Sequence, residues 1–193
     1  MANVHKLKVE LMTAASFSLF GEVMEAKERP SDERRFFPVT FDIDGTTTVD
    51  VIWQPYAERT FTTLERHFNV TQGFIPLEGS LAVVAVAPPT ELDNREAIPE
   101  PDDVRAFLID PTKGFVYKTG TWHSLNRYIL SPPGASFIIL NVDPNPSQVV
   151  DYATESPSST TLVLSRDGVN VDPNPSQVVD YAKEFGVTFE VDI

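Results

Sequence analysis

"LERHFNVTQGFIPLEG", residues 64–79, is the stretch whose reading decides the fold. Read as an extended chain, Glu65 and His67 lie two residues apart and project from the same face, while Arg66 projects from the other. The stretch then turns through a polar segment and resumes as the apolar run "GFIPL". Similar short runs of β-branched and aromatic residues flank it on both sides. Upstream stand "TTTVDVIW" (46–53) and "RTFTTLERHF" (59–68). Downstream stand "SLAVVAVA" (80–87), "VRAFLID" (104–110), "GFVYKTGTWHSL" (114–125) and "ASFIIL" (135–140). Gly, Pro and Asp punctuate them every ten residues or so, which predicts a mostly β protein, a sandwich or small barrel, rather than an alternating α/β sheet.

Helices enter this prediction only at the ends. "VELMTAASFSLFGEVME" (9–25) predicts a short helix with Thr13 as its cap, Phe17 and Phe20 on one face and Gly21 as its stop. Near the C-terminus, Asn174 and Pro175 open "SQVVDYAKEF" as a second helix ending at Gly186, before "VTFEVDI" alternates as a last strand. "FFPVTFDI" (36–43) and "TTTVDVIW" are expected to form a hairpin about Asp44-Gly45. "PPTELDNREAIPEPDDV" (88–104) is expected to be a surface loop.

Composition narrows the function. The chain of 193 residues is expected to form a single domain, and its 41% hydrophobic and 22% charged residues are ordinary for a globular protein. A net charge of −13 argues against nucleic acid and against anionic membranes as partners. An anionic metabolite would then need local cations to overcome the overall field. The absence of cysteine removes disulfides, thiolate nucleophiles and zinc–thiolate sites. No apolar stretch approaches the length of a membrane span, and no secretory leader is apparent, so a cytoplasmic location is expected.

Three chemistries compete. "DIDGTTT" (42–48) has the D-x-D-G-T form of a phosphoaspartyl phosphotransferase. A strand pattern follows it where a helix is required, so a turn at Asp44-Gly45 is the better account. Ser124 directly follows His123, and adjacent strand residues face opposite ways, which rules out a Ser–His pair. The third arrangement survives. Glu65, His67 and Gln72 in the first block and His123 in "GTWH" would be aimed by neighbouring strands at one interior point. There they would hold either a divalent metal ion or a polar substrate directly.

These spacings resemble the two motifs of the cupins, with Glu65 at a histidine position and Gln72 at a carboxylate position. More narrowly, "FGEVME" (20–25), "LERH" (64–67), "QGFIPL" (72–77), "RAFL" (105–108) and "GFVYKTGTWH" (114–123) resemble the ureidoglycolate lyases. That resemblance implies a homodimeric, cupin-like double-stranded β-helix that splits ureidoglycolate into glyoxylate and urea. It implies Glu65, His67, Gln72 and His123 as catalytic or metal-holding groups, with one divalent metal ion as the cofactor to look for. Arg105, Lys118 and Tyr117 are the expected substrate contacts. The chain reads "YKTGTWHSL" where the family reads "YHRGTWHHP", so a binding protein that has lost part of the catalytic set is the alternative.

One further feature is separate from all of these. "NVDPNPSQVVDYA" occurs twice, at 141–153 and at 170–182, without a mismatch. None of the candidate site residues lies in either copy. Excising residues 142–170 leaves a continuous "FIILNVDPNPSQVVDYAKEF", which points to a recent segmental duplication or to an error in assembling the sequence. The second copy is expected in the family's C-terminal position and the first as an inserted turn and helix.

Overall fold

The computed structural model describes residues 3–94, 97–143, 176–180 and 185–193. Strands in chain order are β1 Asn3–Leu11, β2 Gly21–Met24, β3 Thr46–Pro55, β4 Thr60–Phe61, β5 Thr63–His67, β6 Gly73–Pro76 and β7 Ala82–Ala87. They continue with β8 Arg105–Ile109, β9 Gly114–Tyr117, β10 Trp122–His123, β11 Tyr128–Ile129, β12 Gly134–Asp143, β13 Ser176–Asp180 and β14 Val187–Asp192. Two sheets result. The larger has the order β13-β5-β10-β7-β8-β1-β14-β4, with β11 added beside β7, and the smaller runs β2-β9-β6-β12-β3. The larger sheet rolls until β4, at its far end, connects through Thr62 to β5, giving a nearly closed cupin-like barrel.

Alternation along β7 explains the layering. Ala82, Val84 and Val86 face the smaller sheet, in one core cluster with its Phe74 and Phe115, with Phe107 of neighbouring β8 and with Phe17. Val83, Ala85 and Ala87 face the other way, into a second cluster with Leu64, Trp122 and Phe189. A strand buried on both faces reads as a continuous apolar run, and "AVVAVA" is one. Closure of the roll depends on β14, which pairs in parallel with β1 and antiparallel with β4. Its Phe189 is fully buried and stacks on Phe61 at a centroid distance of 4.9 Å.

Several expectations need correction. Among the described residues the only helical element is a 3₁₀ turn, Pro101–Asp103. Residues 9–25 are strand, turn and strand: "KLKVEL" alternates strictly and pairs β1 with β14 and β8. The helical pattern shrinks to one turn, where Phe17 N–H donates to Thr13 O and Gly21 N–H to Phe17 O. Phe17 and Phe20 do share a buried face. Gly21 opens β2 instead of capping a helix, and a Cβ there would lie 1.9 Å from Val116 O.

The Asp44-Gly45 turn does not join a hairpin. Residues 36–43 contribute only a bridge from Ile43 to Val70, and β3 pairs instead along β12. "SQVVD" in the second copy is strand β13 on the free edge of β5, not the start of a helix. Adjacent β-branched valines favour that outcome wherever a sheet edge is open. In the first copy Asn141, Val142 and Asp143 end β12, and the predicted turn and helix after them fall outside the described residues. The 88–104 segment is a loop as expected, but its underside is buried through Ile98 and Pro99.

Replacing Phe189 by Ala should destabilise the protein by about 3–5 kcal/mol, through lost burial and an unfilled cavity where the roll closes. Urea unfolding curves of the two proteins measure the difference.

Candidate active site

Register builds the site. His123 on β10 pairs with Glu65 on β5 and with Val86 on β7, and Val86 in turn pairs with Arg105 on β8. Directly paired residues share a face, so Glu65, His123, Val86 and Arg105 form one inward-pointing row. His67 joins it from the next inward position of β5. Donor atoms of Glu65, His67 and His123 lie within 4.8 Å of one another, and the imidazole centroids are 5.2 Å apart. Both histidines are buried and Glu65 is partly exposed. Tyr117, from the smaller sheet, lies flat on His123 with ring centroids 4.6 Å apart and planes 5° apart.

The supports are local and specific. Gly120 N–H donates to His67 O at 2.8 Å, with Gly120 at φ +80, and a Cβ there would lie 2.5 Å from Leu92 Cδ2. That position demands glycine twice over, for its dihedral and for its space. Behind the site, Arg66 projects from the opposite face of β5, as alternation requires, yet it is fully buried. Its guanidinium carbon lies 4.4 Å from the Phe68 ring centroid and 4.7 Å from that of Trp122. It donates to Thr90 Oγ1 at 2.8 Å and to Asn94 O at 3.1 Å, fastening the 88–104 loop over the barrel.

The remaining expected residues have different settings. Gln72 is buried, shares its face with Phe74, and accepts the Tyr117 N–H through its backbone carbonyl at 2.9 Å. Arg105 lies in the inward row but its fork is taken by Glu10, with Nε to Oε1 at 2.8 Å. That pairing lowers the Glu10 pKa and raises that of Arg105, chiefly by the hydrogen bond between them. Lys118 is exposed and donates to Ser18 O on the outside of the smaller sheet, away from the imidazoles. Ser124 points away from His123 and binds Ala85 N–H, and Asp42 and Asp44 are exposed.

Sequence inspection missed Arg127, which is buried beside this cluster. Its charge adds to the lowering of the His67 and His123 pKa values and partly opposes the rise that burial gives Tyr117, and its Cζ lies 4.1 Å from the Phe74 ring centroid. A signal was present: Arg127 is two residues before the inward-facing Ile129, so it shares the interior side. Gln54, the buried residue of β3 that holds Arg127, was also missed.

Burial dominates the electrostatics. It depresses the pKa of His67, which Glu65 partly opposes, and it depresses His123 well below the ordinary value, with His67 and Arg127 adding to the effect. It pushes the Tyr117 hydroxyl up to about 12. The site at neutral pH therefore holds two uncharged imidazoles and a protonated phenol. His123 Nε2 has no hydrogen-bond partner among the described residues. Neutral imidazole nitrogens with a carboxylate are a donor set that suits a divalent transition metal.

An inward imidazole–carboxylate cluster between the sheets of a cupin-like barrel defines the class: a small-molecule enzyme with a site for chemistry on polar groups. A family model described as "Ureidoglycolate lyase" matches residues 53–160, a span that includes the first copy of the repeat and stops short of the second. Ureidoglycolate lyase from Azotobacter vinelandii is 30% identical over 130 residues, 61% of this chain and 74% of that protein. The Chelativorans enzyme is 30% identical over 152 residues, covering 72% and 86%, and that of Burkholderia cepacia is 34% identical over 136, covering 64% and 73%. The chain belongs to the ureidoglycolate lyase family.

Depressed imidazole pKa values have a definite consequence for stability. Below about pH 6.5 the unfolded chain binds protons that the folded chain refuses, so stability present above that pH falls as pH drops. In metal-free protein, denaturant melts between pH 8 and 5 should show this loss, with a limiting slope of about 1.4 kcal/mol per pH unit for each imidazole. A His67→Gln/His123→Gln double variant should be nearly flat across the same window.

Proposed function

We propose that this protein is a carbon–nitrogen lyase that splits ureidoglycolate into glyoxylate and urea. The observation that carries the proposal is the convergence of Glu65, His67, His123 and Tyr117 inside a barrel of this family. Ureidoglycolate carries a hydroxyl and a ureido nitrogen on one carbon. Cleavage requires the hydroxyl proton to leave as the carbon–nitrogen bond breaks, and the departing nitrogen to gain a proton. The two proton movements cancel, so one residue can perform both.

Glu65 suits that role. It is the carboxylate of the cluster and the partly exposed member of it. It takes the hydroxyl proton and returns it to the ureido nitrogen. Tyr117, protonated throughout the working range, donates a hydrogen bond to an oxygen of the substrate. His67 and His123, both neutral, orient the hydroxyl carbon without adding charge. The same imidazoles with Glu65 would hold a divalent metal ion, with the Gln72 amide as a further oxygen donor. When bound, such an ion polarises substrate oxygens as a Lewis acid.

The reading extends to assembly. Val49, Val51 and Trp53 on the outer face of edge strand β3 are 65%, 68% and 52% exposed, with Ile138 and Leu140 beside them on β12. An apolar sheet face of this kind fits a second copy of the chain across a two-fold axis, the homodimer that the family resemblance implies. We place this enzyme in the cytoplasm, acting on a small anionic metabolite.

Purified protein should release glyoxylate from ureidoglycolate faster than the spontaneous reaction, and Glu65→Gln should lower kcat by about 10²- to 10⁴-fold. Absence of release by the unaltered protein, with and without Mn, Fe, Ni or Zn, would remove this function. Val51→Lys should convert a dimer to monomers in sedimentation experiments.

A further inference from the structure

Arg127 is a buried cation with no carboxylate in ion-pair contact among the described residues. Its other needs are met with care. Gln54 Oε1 accepts both the Arg127 backbone N–H at 2.8 Å and Nε–H at 3.0 Å. Nη2 donates to Leu125 O at 2.6 Å, and the Phe74 ring lies beneath the guanidinium. Gln54 cannot turn over without placing its amide N–H groups against two other donors. The guanidinium is thus fixed on three sides. On the fourth, Nη1 is buried and makes no hydrogen bond of good geometry; the Tyr117 hydroxyl lies beside it, close enough for the two groups to shift each other's pKa, and likewise makes none.

Glu65 reaches Arg127 only through its field and not in ion-pair contact; a buried guanidinium with no contacting counter-ion is costly to a fold, and the cost is relieved when an anion arrives. The alternative cation in the inward row, Arg105, already has Glu10 as its anion. We propose that Arg127 Nη1 and the Tyr117 hydroxyl bind the carboxylate of the substrate, and that Gln54 is the residue that positions Arg127. This rests on the site's handling of a 2-hydroxy acid. The stack of Tyr117 on His123 then makes carboxylate and hydroxyl carbon neighbours of different groups. The acid end meets Arg127 and Tyr117, and the reacting end meets Glu65 and the imidazoles.

Two substrates separate anion binding from chemistry. Hydroxymethylurea keeps the hydroxyl and ureido nitrogen of ureidoglycolate but has no carboxylate. Arg127→Met should raise KM for ureidoglycolate, and weaken glyoxylate binding in calorimetry, by about 10- to 100-fold. Its loss of rate on hydroxymethylurea should be smaller than its loss on ureidoglycolate by about tenfold or more, because that substrate offers Arg127 no carboxylate. Equal losses on both substrates, or none on either, would overturn the assignment. Gln54→Glu, which gives Arg127 an internal counter-ion at nearly constant shape, should weaken glyoxylate binding about tenfold or more. If that variant binds glyoxylate normally, the assignment is wrong even should Arg127→Met fail to fold. Glyoxylate binding that depends on Arg127 in a protein without lyase activity would sink the lyase function and leave the anion site standing.

Discussion

Polar atoms held without partners inside an aromatic interior set the terms for the rest of this structure. His123 Nε2, the Tyr117 hydroxyl and Arg127 Nη1 are all buried and lack hydrogen-bond partners among the described residues. Each such atom costs about 1–3 kcal/mol. Together they approach the net stability of a whole domain, about 5–15 kcal/mol. Groups at that cost persist in a fold where something polar meets them, a solvent molecule at rest and a ligand at work. The surrounding apolar packing is what prevents them from collapsing onto one another. Phe74 and Phe115 stack at 5.5 Å behind Tyr117, and Tyr117 lies parallel on His123.

Rigid backing makes such a cluster possible. Glu65 and His67 lie on a strand whose far side is anchored by Arg66 and whose free edge is covered by β13. Gly120 pins the His67 carbonyl, while Thr121 Oγ1 donates to Phe20 O at 2.8 Å and ties β10 to the turn before β2. These contacts cross between sheets, so the two walls of the site cannot move apart independently. In the lyase proposed above, a base placed this way would work through fixed geometry, since the carboxylate and the two imidazoles share one set of supports.

Much of this was legible in the sequence because a strand's period is two. Alternation put Glu65 and His67 on one face, the family resemblance added Gln72, Tyr117 and His123, and the structure gathers Glu65, His67, His123 and Tyr117 in one place. Failures came where local propensity and sheet pairing disagree. "VELMTAASF" satisfies a helix pattern, yet β1 lies between β14 and β8 and gains its hydrogen bonds there. "SQVVD" begins like a helix after Asn-Pro, yet β5 presents an open edge. Arg127 was missed for another reason. Its significance lies in having no partner, and a missing partner is a property of three dimensions alone.

Three arginines show what that third dimension adds, since nothing in their local sequence ranks them. Arg66 is enclosed by two aromatic rings and loop carbonyls and serves as a fastener. Arg105 sits at the rim with its own carboxylate, so an incoming anion would have to displace Glu10 to use it. Arg127 is buried, and its Nη1 lies beside the Glu65–His67–His123 cluster without a hydrogen-bond partner among the described residues. The chain carries a net charge of −13, and a solvated surface lysine such as Lys118 is screened within about 10 Å at ordinary salt. A guanidinium in low dielectric keeps its field, and the protein's overall negative charge is distributed over a surface that solvent screens. An acidic protein can therefore select a small carboxylate at its centre, provided the cation that does so is taken out of water and left without an internal anion.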